Sequence, residues 1–435
     1  MSTNKSLTKK RAKKAAKRRD RKNVSRTQTS SAGAARTPMT RDAFPQTETL
    51  AIDATSIADL HGRIATAGSD RSGFVDTRLT QGAGSGWQTM NDDRLEIQLE
   101  IARRYCINGA DLVLPELPES RPSWFTARLD ETIRQFRRDG QYLQLPSFYG
   151  AEAIGIFSDY SGAHAESRFE TYTFLFADHG GLEVFDERVK AIRDSTRLPR
   201  TREISFKALR EGNVVAVVPE VLRAADTIPG LLFTLAVEKS IGSILSGDPN
   251  TRASIQQQLR SIGLQSWTSH QDAERLGRVL HSVAYWLSLL GRRGMKTLWM
   301  SDNDAIHGRS ESPDDFENAY LRVLPLFNAP EFSILGIAKS FTVEAEQPYL
   351  HEAVSVSDLV AGAIAAYLTE QRGVPQSERR SAITADILTF LGHQSPFLKK
   401  LTYVIQKQPD GTEATGLMKV TATTRSTEGY FRVEF

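Results

Sequence analysis

Large apolar side chains are nearly absent from the first 49 of this chain's 435 residues, and nothing else in the sequence limits folding so strongly. A stretch that cannot bury apolar surface cannot offset the entropy of ordering its backbone. The text KKRAKKAAKRRDRK, followed by SRTQTSSAGAARTP, predicts a disordered arm, with helical transients around Ala12, Ala15 and Ala16. Between Met1 and Arg26 stand twelve Lys or Arg and one acid, Asp20, a charge of +11; the whole chain carries +3, so the remainder carries −8. A basic arm thus precedes an acidic body. Clustered cations of this kind displace counterions from nucleic acid of any sequence. A solubilising tail, or one docked on the acidic body, is the other reading. No apolar run follows the charges, so the segment does not read as a secretory signal.

Beyond the arm, a hydrophobic fraction of 40% and a charged fraction of 25% fit a globular protein long enough for two or three domains. The single cysteine, Cys106, excludes an intrachain disulfide, and no Cys/His cluster with zinc spacing is present. Cys106 follows the amphipathic run Leu95–Tyr105 and reads as a small buried thiol. No run of about 18 uninterrupted apolar residues occurs. The most apolar stretches, around Leu231–Ile244 and Leu359–Leu368, read as buried core helices. These features predict a cytoplasmic protein with no membrane partner.

Periodicity divides the remainder. Residues 50–148 read as helical, with candidates at Asp53–Ile64, Asn91–Tyr105 and Trp124–Arg138 and a Gly82–Gly86 linker. From Gly150 the pattern turns to α/β. Candidate strands are Ala153–Phe157, Glu170–Phe176, Glu203–Phe206, Val214–Val218, Thr297–Met300 and Phe332–Ile337. Candidate helices are Pro229–Leu245, Ala273–Leu290 and Val356–Glu370. Residues 375–435 read as an α+β extension: a helix at Ala382–Phe390, a hairpin of Leu401–Ile405 with Gly416–Val420 across Gln408-Pro409-Asp410-Gly411, and a strand at Tyr430–Val433. The expected domains are therefore 1–49, 50–148, 149–374 and 375–435.

The acids fall at telling places in this pattern. Asp159 follows one predicted strand, Asp302 and Asp304 follow another, Asp358 opens a predicted helix, and Glu203 begins a segment between them. In an α/β sheet, strand C-termini and helix N-termini gather along one edge, where ligands bind. Grouped carboxylates repel unless a cation neutralises them, and hard oxygen donors suit Mg²⁺ or Mn²⁺. Two such ions would activate a water and stabilise the leaving oxygen of a phosphodiester. Taken singly, each acid also fits a solvated surface group, a turn former or a first-turn helix acid.

The order of these pieces resembles the prokaryotic domain-of-unknown-function family 3800, which is considered ribonuclease-H-like. The resemblance rests on Phe157-Ser158-Asp159-Tyr160-Ser161-Gly162, Thr171–Phe176, Glu203-Ile204-Ser205-Phe206-Lys207, Trp299-Met300-Ser301-Asp302 and Ser357-Asp358-Leu359-Val360-Ala361-Gly362. It spans roughly Ala153–Leu368. It implies a ribonuclease-H-like mixed sheet flanked by helices and a metal-dependent nuclease acting on DNA or RNA. In that picture Asp159 would bridge two metals, and Glu203, Asp302 and Asp358 would complete their shells. Asp304 could substitute for Asp302, and Lys207 would orient the phosphate or a water. Ser161 could hydrogen-bond phosphate, and Gly162 would allow close backbone approach. Three positions depart from the family: Tyr160 stands where it has Glu, Lys207 lies two positions later than its Lys, and Ser357 replaces Ala.

Tyr160 supports a rival reading, in which the fold persists with a degraded site. The chain would then be a non-catalytic nucleic-acid-binding or scaffold subunit of a bacterial defence or mobile-element complex. Edge strands and apolar helices would permit a homodimer. His164, His179 and His307 lack metal-ligand spacing and read as surface residues. Arg292, Arg293 and Lys296 read either as phosphate contacts or as a solvated helix end. Trp267, Trp286 and Trp299 read as core, since base stacking would need them exposed.

Overall fold

A computed structural model describes residues 106–108, 123–138, 143–146, 148, 150–246, 251–301, 306, 314–327, 332–339, 348–393, 395–423 and 430–434. The arm, the candidate helices Asp53–Ile64 and Asn91–Tyr105, and the Gly82–Gly86 linker lie outside these residues, as do Asp302, Asp304 and His307. All the described residues belong to one compact unit, Gln88–Phe435.

The strands are β1 (Cys106–Asn108), β2 (Gln144–Pro146), β3 (Ala153–Ser161), β4 (Phe169–Asp178), β5 (Gly230–Glu238), β6 (Lys296–Ser301), β7 (Ser333–Lys339), β8 (Leu398–Lys407), β9 (Glu413–Leu417), β10 (Lys419–Thr423) and β11 (Tyr430–Glu434). The helices are α1 (Trp124–Arg138), α2 (Glu183–Thr196), α3 (Gly212–Ala225), α4 (Thr251–Ser261), α5 (His270–Leu290), α6 (Asp315–Val323), α7 (Pro348–Gln371) and α8 (Glu378–Gly392).

Seven strands form a mixed α/β sheet in the order β7-β6-β3-β4-β5-β8-β9. The meander β3-β4-β5 is antiparallel, while β6 and then β7 add in parallel beside β3. On the other side β8 runs parallel to β5 and turns back into β9. The C-terminal hairpin across Gln408–Gly411 thus extends the central sheet. β10 pairs separately with β11.

Alternation along each interior strand splits its side chains between two cores. One face presents Ile156, Tyr172, Phe174 and Phe233 to α1, α5 and α6. The other presents Phe157, Leu175, Leu232 and Val404 to α2, α3, α7 and α8. Trp267, Trp286 and Trp299 are all buried in the first core, as the sequence indicates. The indole N–H of Trp267 donates to the Ile306 carbonyl at 2.8 Å and that of Trp299 to Ser158 Oγ at 2.9 Å.

Several elements differ from the sequence expectation, among them the short paired strands β1 and β2 within 50–148, a region read as helical. Pro229–Leu245 is not a helix: Gly230–Glu238 forms β5, buried on both faces. Its apolar run is continuous because neither face meets water, which hides the alternation. Val214–Val218 is not a strand but part of α3, where Val214, Val217, Val218 and Val221 share a buried face at helical spacing. Packing of that face overrides the preference of valine for strands. Glu203–Phe206 is irregular backbone leading into a 3-10 turn, Lys207–Arg210.

The stretch Leu350–Gln371 within α7 is long and apolar enough to cross a membrane, but 89% of its apolar window is buried inside this fold. It lies against β3 and β4 as a core helix.

A charged cluster is buried on the α5 side of the sheet. Arg278 donates to Glu170 at 3.0 Å and to Glu274 at 3.3 Å, and the Tyr172 hydroxyl donates to Glu170 at 2.8 Å. Glu274 also accepts from the Ile244 N–H at 2.9 Å and from Ser243 Oγ at 2.8 Å. Arg275 approaches Glu170 to 4.0 Å. Two acids and two arginines balance, which is what a buried charged group requires.

Candidate active site

Asp159 lies inside β3 rather than beyond its end, because the strand continues to Ser161. It is only 4% exposed. Odd-numbered residues of this strand, such as Phe157, face the core under α7, and even-numbered ones, such as Tyr160, face the core under α5. Asp159 therefore shares a face with Phe157. Across the sheet it is in register with Thr173, which faces Thr234, which faces Thr402. All four are buried. The Thr173 and Thr234 hydroxyls are 2.9 Å apart and hydrogen-bond each other. A polar row thus crosses four strands beneath α7.

Two hydroxyls fasten α7 to the sheet beside Asp159. Ser357 Oγ donates to the Phe157 carbonyl and Thr171 Oγ1 to the Ala361 carbonyl, each at 2.8 Å. Asp358, next to Ser357, is half-buried near the middle of α7, not in its first turn. The helix begins ten residues earlier, at Pro348, because the amphipathic signal is weak where it is buried all round. Asp358 Oδ2 accepts from the Phe206 backbone N–H at 2.8 Å.

That bond draws the 203–206 segment onto α7. A Cβ on Gly362 would lie 2.2 Å from the Phe206 ring, so the two elements can approach this closely only with glycine there. Arg193 holds the preceding loop. Its guanidinium grips Glu352 of α7 at 2.5 and 3.0 Å and donates to the carbonyls of Pro199 and Arg202 at 2.8 and 2.9 Å. Burial pushes the Glu352 carboxyl up, against the pull of Arg193. Glu203 is exposed and lies near His351, at the start of α7; its charge favours the imidazolium, but burial lowers His351 overall. Lys207 is exposed at the head of the 3-10 turn.

β6 ends at Ser301, in register with Ser158, so the residues that follow this last pair are Asp302 and Asp159. Among the described residues, no three His, Cys, Asp or Glu side chains come together as metal ligands. The structure therefore brings together the elements carrying Asp159 and Asp358. It sets Glu203 toward His351, while Asp302 and Asp304 lie outside the described residues.

Tyr160 fills the opposite core. Its hydroxyl hydrogen-bonds Ser158 Oγ at 3.0 Å and accepts from Ser301 Oγ at 3.3 Å, and its ring packs on Tyr172 at 5.8 Å. Gly162 has φ +87°, and a Cβ there would lie 2.0 Å from the Phe169 carbonyl. Its close approach is to its own hairpin. Lys296 pairs with Glu152, Arg292 donates to the Ala151 carbonyl, and His164 is exposed. Sequence reasoning gives no role to Arg193, which belongs to no motif, or to Phe206, which lies within the 203–207 segment but is assigned nothing there; both arrange the loop.

No protein-family model matches this chain, and no curated protein matches it.

Proposed function

We propose that the chain is a ribonuclease-H-like nuclease that hydrolyses phosphodiester bonds in DNA or RNA at Asp159 and Asp358. The observation that carries the reading is the Ser357 hydroxyl on the Phe157 carbonyl. It sets the residue before Asp358 against the strand residue two before Asp159. A mixed sheet flanked by helices supports the same reading, as does a neighbouring strand, β6, that runs into Asp302.

The donors in question are all hard carboxylate oxygens, which fit Mg²⁺ or Mn²⁺ rather than softer ions. Asp159 and Asp358 would hold the ion, with Asp302 or Asp304 and Glu203 completing the shell. When bound, such an ion supplies a water acidic enough to attack at neutral pH and charge to offset the leaving oxygen. The chain's own groups do the rest. Burial of Asp159 keeps bulk water from competing for its carboxylate. The Phe206 N–H fixes the orientation of the Asp358 carboxylate. Lys207, exposed beside this segment, would contact phosphate.

The rival reading, a nucleic-acid-binding or scaffold subunit with a degraded site, rests on Tyr160. That side chain points into the core on the far side of the sheet from Asp159. A carboxylate at 160 would not face Asp159, so the replacement subtracts nothing from that side.

The test is cleavage of labelled single- and double-stranded DNA and RNA with Mg²⁺ or Mn²⁺, comparing the native chain with Asp159→Asn. Metal-dependent cutting that the substitution abolishes is the expected result. Binding without cutting in every metal, unchanged by the substitution, would overturn the nuclease reading in favour of the scaffold.

A further inference from the structure

Phe206 sits at the junction of three elements. Its N–H binds Asp358 of α7, its ring lies against Gly362, and the Lys207–Arg210 turn begins at the next residue. The guanidinium of Arg380, from the first turn of α8, lies over the same ring, 5.0 Å from its centroid. Arg210 closes the 3-10 turn. Residues at i and i+3 of such a turn eclipse, so Lys207 and Arg210 share a side.

Arg210 and Arg380 are both exposed. Burial first, and then the charge of Arg210, holds the Arg380 guanidinium below its ordinary basicity. The adjacent acid, Glu211, is engaged elsewhere, in an ion pair with Arg202. Among the described residues, neither Arg210 nor Arg380 has a carboxylate partner. A guanidinium over an aromatic ring, with a second on the adjoining 3-10 turn and no carboxylate partner for either, is arranged to receive an anion. A guanidinium's planar fork matches phosphate oxygens, and the ring keeps the fork from collapsing onto the surface.

We propose that Arg210 and Arg380, with Lys207 beside them, clamp phosphates of a nucleic-acid chain as it passes Asp358. This rests on the nucleic-acid reading above and adds the path that the substrate takes. The clamp grips the backbone and reads no sequence.

The experiment measures binding of a labelled single-stranded DNA oligonucleotide to the full chain in EDTA, by fluorescence anisotropy over a series of chloride concentrations. The variants are Arg210→Gln/Arg380→Gln, the single Arg210→Gln and the charge-keeping Arg210→Lys/Arg380→Lys. The basic arm is common to all of them, so it cancels from the comparison. Losing two phosphate contacts from a single strand lowers the slope of log affinity against log salt by about 1.4, and losing one lowers it by about 0.7. Both decreases are expected, with the native slope kept in the lysine variant and thermal midpoints unchanged throughout. A native slope in both glutamine variants would overturn the clamp.

Inorganic phosphate added at constant ionic strength is expected to displace the oligonucleotide no better than chloride. Selective displacement would make this a site for the free anion, and the nucleic-acid clamp would fall. Cleavage is read separately. A chain that never cuts but loses salt slope in the glutamine variants keeps the clamp and loses the nuclease. A chain that cuts, with glutamine variants that bind and cut as the native chain does, keeps the nuclease and loses the clamp.

Discussion

The Phe206 N–H donates to the Asp358 carboxylate at 2.8 Å across a gap of 152 residues in sequence. One carboxylate therefore has two tasks, to hold a loop and, on the proposed function, to hold a metal. The tasks separate by substitution. Asp358→Ala leaves a partly buried N–H without an acceptor and is expected to lower stability by about 1–3 kcal/mol. Asp358→Asn keeps an acceptor oxygen and should unfold in urea close to the native midpoint. Both variants should lose metal-dependent cleavage. If the alanine variant unfolds at the native midpoint, the carboxylate does not anchor the loop.

Gly362→Ala tests the same contact from the other side. The added methyl would meet the Phe206 ring at 2.2 Å, far inside van der Waals distance. Either the ring or the loop must move, at a cost of about 1–3 kcal/mol. Phe206→Ala should relieve part of that cost, so the double variant is expected to be more stable than the two single losses added together. Strict additivity in denaturant unfolding would show that Gly362 and Phe206 do not press on each other in solution.

The sequence makes the alternating strands around Asp159 legible, since residues such as Tyr172, Phe174 and Phe176 face one core while their odd-numbered neighbours face the other. Where an element is buried on every side, the period vanishes. β5 is buried on both faces and reads as a helix. The first turns of α7 escape notice, which makes Asp358 look like a helix-start acid. The site is legible in its residue types but not in its arrangement. That Asp159 and Tyr160 face apart follows from the strand continuing to Ser161. The turn-like Ser161-Gly162 conceals that continuation. The grip of Arg193 on Glu352 joins residues 159 apart in sequence and leaves no local trace.

The buried cluster under α5 should be intolerant of losing one charge. Arg278→Met leaves Glu170 and Glu274 buried with less positive charge nearby and is expected to cost about 3–5 kcal/mol at neutral pH. In the native chain burial pushes the Glu170 carboxyl up, but Arg278 and Arg275 outweigh it and hold the group below its ordinary value. Its contribution to stability is therefore present at neutral pH and lost as pH falls. Without Arg278 burial dominates, the group rises above its unfolded value, and stability should instead fall as pH rises through it. Urea unfolding at pH 4 and pH 7 checks this: the gap between variant and native chain should widen at pH 7. A gap of the same size at both values would mean that Glu170 does not depend on Arg278.

His281 predicts how the fold responds to mild acid. Its ring lies edge-on to Phe327 at 5.3 Å, and its Nδ1 is buried without a hydrogen-bond partner. Burial lowers its pKa from 6.5 to about 4. Between those values the unfolded chain binds a proton that the folded one refuses, so stability rises with pH across the window. The contribution is complete above the unfolded value and is lost as pH falls toward 4, a loss of about 3 kcal/mol. His281→Leu removes the titrating group while keeping an apolar side chain against Phe327. Between pH 7 and pH 4 its denaturant midpoint should fall less steeply than that of the native chain. Parallel curves would mean that the imidazole takes up its proton in the folded state through local opening, and that burial of His281 does not set the acid limit of the fold.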